Sequence, residues 1–127
     1  MIWEWPGISI EGIFHGVWRR PDGQMFDLTR KPDGEFRILF AVDNKRVFSG
    51  RRVNTIRMAI GNDLRIKEWI NINNRFDQIV SRRLRNVPIG TEVTIEGEAV
   101  ELRNRSMELS RQLLQSRDAR RAQEIIR

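Results

Sequence analysis

Cysteine is absent from this chain of 127 residues, and histidine occurs only once, as His15. The first absence excludes a disulfide framework, a thiolate nucleophile and any Cys-ligated zinc or iron–sulfur cluster within the chain. The second makes a conventional zinc site remote, so no metal and no cofactor are expected. Long apolar runs are missing as well: the longest, such as Ile38-Leu39-Phe40-Ala41-Val42, have the length of a strand rather than of a membrane span. Met1-Ile2-Trp3-Glu4-Trp5 lacks the basic n-region and extended apolar stretch of a signal peptide. A cytoplasmic location with no membrane partner is the resulting expectation. Lysine is scarce, confined to Lys31, Lys45 and Lys67 among 23 basic residues, so the net charge of +6 rests almost wholly on arginine.

What is present suits one compact domain over residues 1–127. Hydrophobic residues make up 39% of the chain, and its four tryptophans and six phenylalanines can fill one core but not two. Charged residues at 31% predict a well-solvated surface. Guanidinium groups form planar, bidentate hydrogen bonds with phosphates and carboxylates, so the arginine bias fits a phosphate backbone or an acidic protein surface. A plain base-composition bias of the gene would produce the same arginine content.

The fold class read from the pattern is α+β: an antiparallel β meander of three to five strands packed with a long central helix and a C-terminal helix. Its expected parts are a meander over 1–50, a helical region over 51–86, a short strand within 87–97 and a C-terminal helix over 98–127. Ile8 to Trp18 alternates with period two, as a strand does. Arg19-Arg20-Pro21-Asp22-Gly23 is turn chemistry, and Gln24 to Thr29 returns as the second strand of a hairpin. A second Pro-Asp-Gly, at residues 32–34, leads into a strand over Glu35 to Val42, and Asp43-Asn44-Lys45 turns into Val47-Phe48. Arg51 to Ile60 reads as a short helix. Asn62 or Asp63 is an N-cap for the long one, with Ile66, Trp69, Ile70, Phe76, Val80 and Leu84 as its stripe and a gap at Asn73. Val87-Pro88-Ile89-Gly90 ends it, and Thr91 to Glu96 alternates as a strand. In the last segment Leu102, Met107, Leu109 and Leu113 form the seam. Its tail, Ser116 to Arg127, carries Ala119, Ala122, Ile125 and Ile126 among arginines; packing on its own domain is one reading of that stripe, and homodimerisation or partner binding is the other.

One pair of residues carries recognisable chemistry. With the hairpin turn centred on Pro21, Trp18 faces Gln24 and His15 faces Asp27, and directly opposed side chains have Cβ atoms roughly 4.5–5.5 Å apart. An imidazole so placed donates to the carboxylate, which sets its tautomer and raises its basicity: the base-and-orienter half of a nucleophilic triad. Two strand residues that simply satisfy one another would look the same. The run Phe14-His15-Gly16-Val17-Trp18, the Pro-Asp-Gly turn and Phe26-Asp27-Leu28-Thr29 resembles the His and Asp strands of transglutaminase-like, papain-related cysteine hydrolases. Together with Ile2-Trp3-Glu4 and Asp33-Gly34-Glu35-Phe36-Arg37-Ile38-Leu39-Phe40 it is similar to small bacterial and phage proteins of that pattern, over residues 2 to 60. The resemblance implies His15 as general base and Asp27 as its orienter, with Trp18 beside them. In those enzymes the nucleophile is a cysteine on a helix upstream. With no cysteine in the chain, the resemblance implies a truncated relative without activity, in which His15 and Asp27 are vestigial.

Arginines cluster as Arg19-Arg20, Arg51-Arg52 and Arg82-Arg83 with Arg85. Converging clusters would bind nucleic acid through its phosphates without reading sequence, whereas dispersed ones would be a solvated surface with the last group complementing a helix C-terminus. The chain has no RNA-recognition, zinc-finger or helix-turn-helix signature. The leading expectation is a non-enzymatic binding protein, an inhibitor or adaptor of the kind phages and other mobile elements encode against host defences. It would engage a protein or nucleoprotein complex through Trp3, Trp5, Arg19 and Arg20. Nucleic-acid binding through Arg51, Arg52, Arg82, Arg83 and Arg85 is the alternative, and degenerate hydrolase chemistry on His15 and Asp27 the third.

Overall fold

The computed structural model describes residues 1–27, 39, 41–43, 45, 52–88 and 91–125. Among these the architecture is α+β, with five strands in two antiparallel sheets and two long helices. Strand β1 (Ile2–Trp5) turns through Pro6-Gly7 into β2 (Ser9–Gly12). The Ile8 amide closes that turn on the Trp5 carbonyl at 2.8 Å, and Gly7 sits at φ +72°, the conformation a type II turn demands after proline. β2 also pairs with β5 (Ile56–Ala59), giving the order β1-β2-β5. A separate hairpin joins β3 (Trp18–Arg19) to β4 (Met25–Phe26).

Several expectations are corrected here. Residues 8–18 are not one strand, because the chain leaves the first ladder at Ile13 and enters the hairpin only at Trp18. The helix expected over Arg51 to Ile60 does not form at residues 52–60: Ile56 and Met58 alternate with Arg57 and Ala59, and that alternation is used as a strand. β5 reaches β2 from far along the chain, so the sheet is not a simple meander. Residues 91–96 form no ladder. The expected strands over 35–42 and at Val47-Phe48 lie mostly or wholly outside the described residues, although Leu39 bridges to Ile2 with the Ile2 amide 2.7 Å from its carbonyl.

Helix α1 (Leu64–Arg83) starts where expected. Asp63 has extended backbone and its carboxylate accepts the Arg65 amide at 2.9 Å, satisfying one of the open donors of the first turn. Arg82 and Arg83 in the last turn complement the carbonyl end, and a 3₁₀ turn (Leu84–Asn86) leads to Val87, extended before Pro88. Helix α2 (Glu98–Ile125) begins after Gly97, with Glu98 and Glu101 in its first turn.

The helices run antiparallel, and Asn73, the gap in the apolar stripe, faces the partner helix. Its amide donates to Ser106 Oγ at 2.9 Å; the Trp69 indole donates to Ser110 Oγ at 2.9 Å and Arg65 to Ser116 Oγ at 2.9 Å. Ala99, Leu102, Ser106, Leu109 and Leu113 recur at alternating three- and four-residue spacing, the seam of a helix pair. Ala99, Leu109 and Leu113 are buried and Leu102 half-buried, but Met107 is 61% exposed, off the seam it was expected to join.

The core gathers Ile8, Ile66, Trp69, Leu109 and Leu113, with Trp5, Ala59, Ile70, Ile72 and Leu114 against it. Each fully buried side chain of this size contributes about 1.5–3 kcal/mol. Gly61 lets the Pro6-Gly7 turn press on α1, because a Cβ there would strike the Gly7 carbonyl and Ile66 Cδ1.

Toward the C-terminal half of α1 the packing changes from apolar to ionic. In register, Trp3, Glu11 and Arg57 share one face of the sheet, as do Trp5, Ser9 and Ala59. Arg57 donates from Nε to Glu11 at 2.7 Å and from Nη1 to Asp77 at 2.7 Å and Asn74 at 3.1 Å. Asp77, 3% exposed, also accepts from Arg52 at 2.8 Å. Removing one member of such a buried group strands the others without compensation. Asp77→Ala is therefore expected to lower unfolding free energy by about 3 kcal/mol or more, measured by urea titration, and Leu109→Ala by about 2–5 kcal/mol. The Arg65 guanidinium and amide hold the Asp63 carboxyl at about 2, below its ordinary value of 3.8. Its folded form is thus favoured as the anion: the contribution is complete above 3.8 and fades as pH falls through about 2. Asp63→Asn, which still caps, should flatten this part of the acid-unfolding profile.

Candidate functional site

Two adjoining depressions hold Arg52, Arg82, Arg85 and His15 among the residues singled out from the sequence. The first, about 630 Å³, is lined by Arg52, Asn54, Gln78, Ser81, Arg82, Leu84, Arg85 and Val87. Gln78, Ser81, Arg82 and Arg85 recur at i, i+3, i+4 and i+7, so the end of α1 and the following turn present them on one face. The segment before β5 supplies Arg52 and Asn54 as the opposite wall, and Ser81 Oγ donates to Asn54 Oδ1, tying the walls together. Three guanidinium groups therefore line one polar groove. Among the described residues of its lining none is acidic; Asp77, bonded to Arg52, divides its charge with Arg57. Such a groove is electropositive, and its donors are arginine forks, two amides and a hydroxyl, which is the chemistry that binds phosphate oxygens.

Arginines from two different regions of the chain thus meet, though not all the expected members do. Arg83 turns away and donates to the Thr94 carbonyl at 3.3 Å, outside the groove lining. Arg51 lies outside the described residues. Asn54, Gln78 and Ser81 were missed in the sequence. For Gln78 and Ser81 the signal was available in their helical spacing with Arg82; Asn54 had none.

The second depression, about 410 Å³, is mostly apolar, with Ile2, Phe14, Val17, Met25, Val53 and Ile56 among its walls and His15, Asp43 and Asn54 as polar side chains. Asn54 lines both depressions. His15 Nε2 lies 2.8 Å from Asp27 Oδ1, with both side chains mostly buried. The expected contact forms, but its expected register does not. The hairpin pairs Trp18 with Phe26 and Arg19 with Met25, so the turn centres on Asp22 rather than Pro21, and Trp18 does not face Gln24. Pro21-Asp22-Gly23 is a three-residue loop, with Gly23 at φ +88° and Asp22 Oδ1 accepting the Gln24 amide at 2.9 Å. In this register His15 lies diagonal to Asp27 on the same face, and the chain outside the ladder closes the remaining gap.

The four residues expected to engage a protein partner are not one surface. Trp5 is an inward residue, its ring 5.4 Å from that of Trp69 in the core. Trp3 is 38% exposed and shares the helix-side face of β1. Arg19 and Arg20 stand exposed on the hairpin, where the Arg20 guanidinium lies 4.5 Å from the Phe26 ring centre and 5.7 Å from that of Trp18, itself 50% exposed. This cation–π stack braces a ribbon too short to be stable alone.

Among the described residues no cluster of three His, Asp or Glu side chains could hold a metal ion, and no helix is long and apolar enough to cross a membrane. No family model matches the chain, and comparisons with curated proteins and with solved structures find no match.

The His15–Asp27 geometry makes a spectroscopic prediction. A ring nitrogen 2.8 Å from a carboxylate carries the proton, so neutral His15 should be the Nε2–H tautomer in long-range ¹H–¹⁵N spectra, and Asp27→Ala should release that bias. An Nδ1–H tautomer in the native protein would contradict the pairing.

Proposed function

We propose that this chain is a non-enzymatic binding protein that grips the phosphate backbone of a nucleic acid, free or within a nucleoprotein complex. The observation that carries this reading is the convergence of Arg52, Arg82 and Arg85 in one groove with no acidic residue among the described residues of its lining. Each phosphate bound there releases condensed counterions, so affinity depends on charge and salt and not on base sequence. An inhibitory or adaptor role on a nucleoprotein complex is compatible with this site, because blocking or bridging requires occupancy and no chemistry. His15 and Asp27 support the base-and-orienter half of a hydrolytic centre at most. Neither cysteine nor a second histidine is available to extend them.

The arrangement separates Arg82 and Arg85 from Arg83. Arg82→Glu with Arg85→Glu should weaken binding of a generic oligonucleotide by tenfold or more and reduce the slope of log affinity against log salt by roughly two units. Arg83→Gln should have a much smaller effect. Fluorescence anisotropy across a salt series measures both. Undiminished affinity in the double variant would remove the groove from the interface, and absence of any oligonucleotide binding by the native protein would remove the reading itself.

A further inference from the structure

We infer that the two depressions form one composite site for an unpaired nucleotide, with phosphate in the arginine groove and the base in the apolar depression beside His15. This rests on the phosphate-binding reading and names the form of nucleic acid that the site selects.

The segment from Arg52 to Ile56 carries the argument. It is the wall shared by both depressions: Arg52 lines the groove, Val53 and Ile56 line the apolar depression, and Asn54 lines both. A ligand reaching across Asn54 therefore meets arginine on one side and aliphatic and aromatic groups on the other. That division matches a nucleotide, whose charged phosphate and flat, largely apolar base lie on opposite sides of a sugar. At about 410 Å³ the second depression is within the range of small-ligand pockets, which are mostly apolar with a few convergent polar groups. Here those groups are His15, oriented by Asp27, Asn54, and the Asp43 carboxylate, an acceptor for the N–H groups of a base edge. Asn54 Oδ1 is engaged by Ser81, so its Nδ2 amide is the group that would donate to a base edge.

A base held this way has left its stack. Duplex would have to unpair to use the site, whereas a single strand offers its bases without that cost. Apolar walls accept the face of any base, so selectivity is for unpaired over paired nucleotides with little preference among bases. The same contrast tells this site from a plain cationic surface, which counts phosphates only.

The test compares three labelled ligands of about 12 nucleotides by fluorescence anisotropy at one salt concentration: a thymidine single strand, an abasic strand with the same phosphates, and a duplex. The thymidine strand should bind about tenfold more tightly than the abasic strand. Ile56 is 56% exposed and Met25 42% exposed, so Ile56→Gln with Met25→Gln should leave the fold intact, as circular dichroism would verify. That variant should bring the two single strands within about twofold of each other, whereas Arg82→Glu with Arg85→Glu weakens both alike. Equal affinity of native protein for thymidine and abasic strands, or tighter binding of duplex than of single strand, overturns the composite site while leaving the phosphate groove standing. Binding of none of the three ligands overturns the groove reading as well.

Discussion

The Asp77 carboxylate, buried between Arg52 and Arg57, is the constraint on which the rest of the arrangement depends. Through Arg57 it joins α1 to Glu11 in the middle strand of the sheet, and through Arg52 it reaches the groove wall. Glu11 and Arg57 are direct partners in the ladder. A slip of β5 by one residue would turn Arg57 to the opposite face and place Ile56 and Met58 against Asp77, leaving the carboxylate unpaired. An ion group of this kind contributes little net stability over an apolar alternative, since desolvation consumes most of the attraction. What it determines is register, and with register the position of Arg52.

That division of labour follows the length of α1. Its first half packs Ile66 and Trp69 into the core with Ile8, Leu109 and Leu113, and its second half carries Asn74, Asp77, Gln78, Ser81 and Arg82. The apolar end anchors the helix and the polar end is free to present charge. Positive side chains are favoured at a helix C-terminus by the carbonyl dipole, so Arg82 and Arg83 are at home there before any ligand is considered. The approach of Arg52 from the strand side turns a helix-end preference into a groove.

The hairpin and the His15–Asp27 pair follow a related logic with weaker forces. Two residues of pairing on each strand hold little on their own, and the Arg20 stack on Phe26 and Trp18 and the glycine-bearing turn supply the rest. The face opposite that stack carries Met25 and Val17 into the apolar depression, beside the imidazole that Asp27 orients.

Much of this was legible in residue order. The Asp63 cap, the α1 stripe, the break before Pro88 and the start of the last helix after Gly97 are local signals, and local backbone energetics obey them. So is the chemistry of absence: without cysteine there is no thiolate. The His15–Asp27 contact was legible as well, although through a register two residues away from the actual one, because a diagonal and a directly opposed pair both bring side chains within reach. What the order of residues left undetermined was non-local. Arg51 to Ile60 satisfies a helical and a strand reading equally, and only an open edge of β2 selects the strand. Asn73 reads as a defect in an apolar stripe until Ser106 faces it. Trp5 and Trp3 look alike in sequence and share one face of β1, but the position of Trp69 takes the Trp5 ring into the core and leaves Trp3 partly in solvent. Whether Arg52 joins Arg82 and Arg85 depended on Asp77 bridging sheet and helix across 25 positions of sequence, a contact that no local pattern encodes and that exists only once both elements are in place.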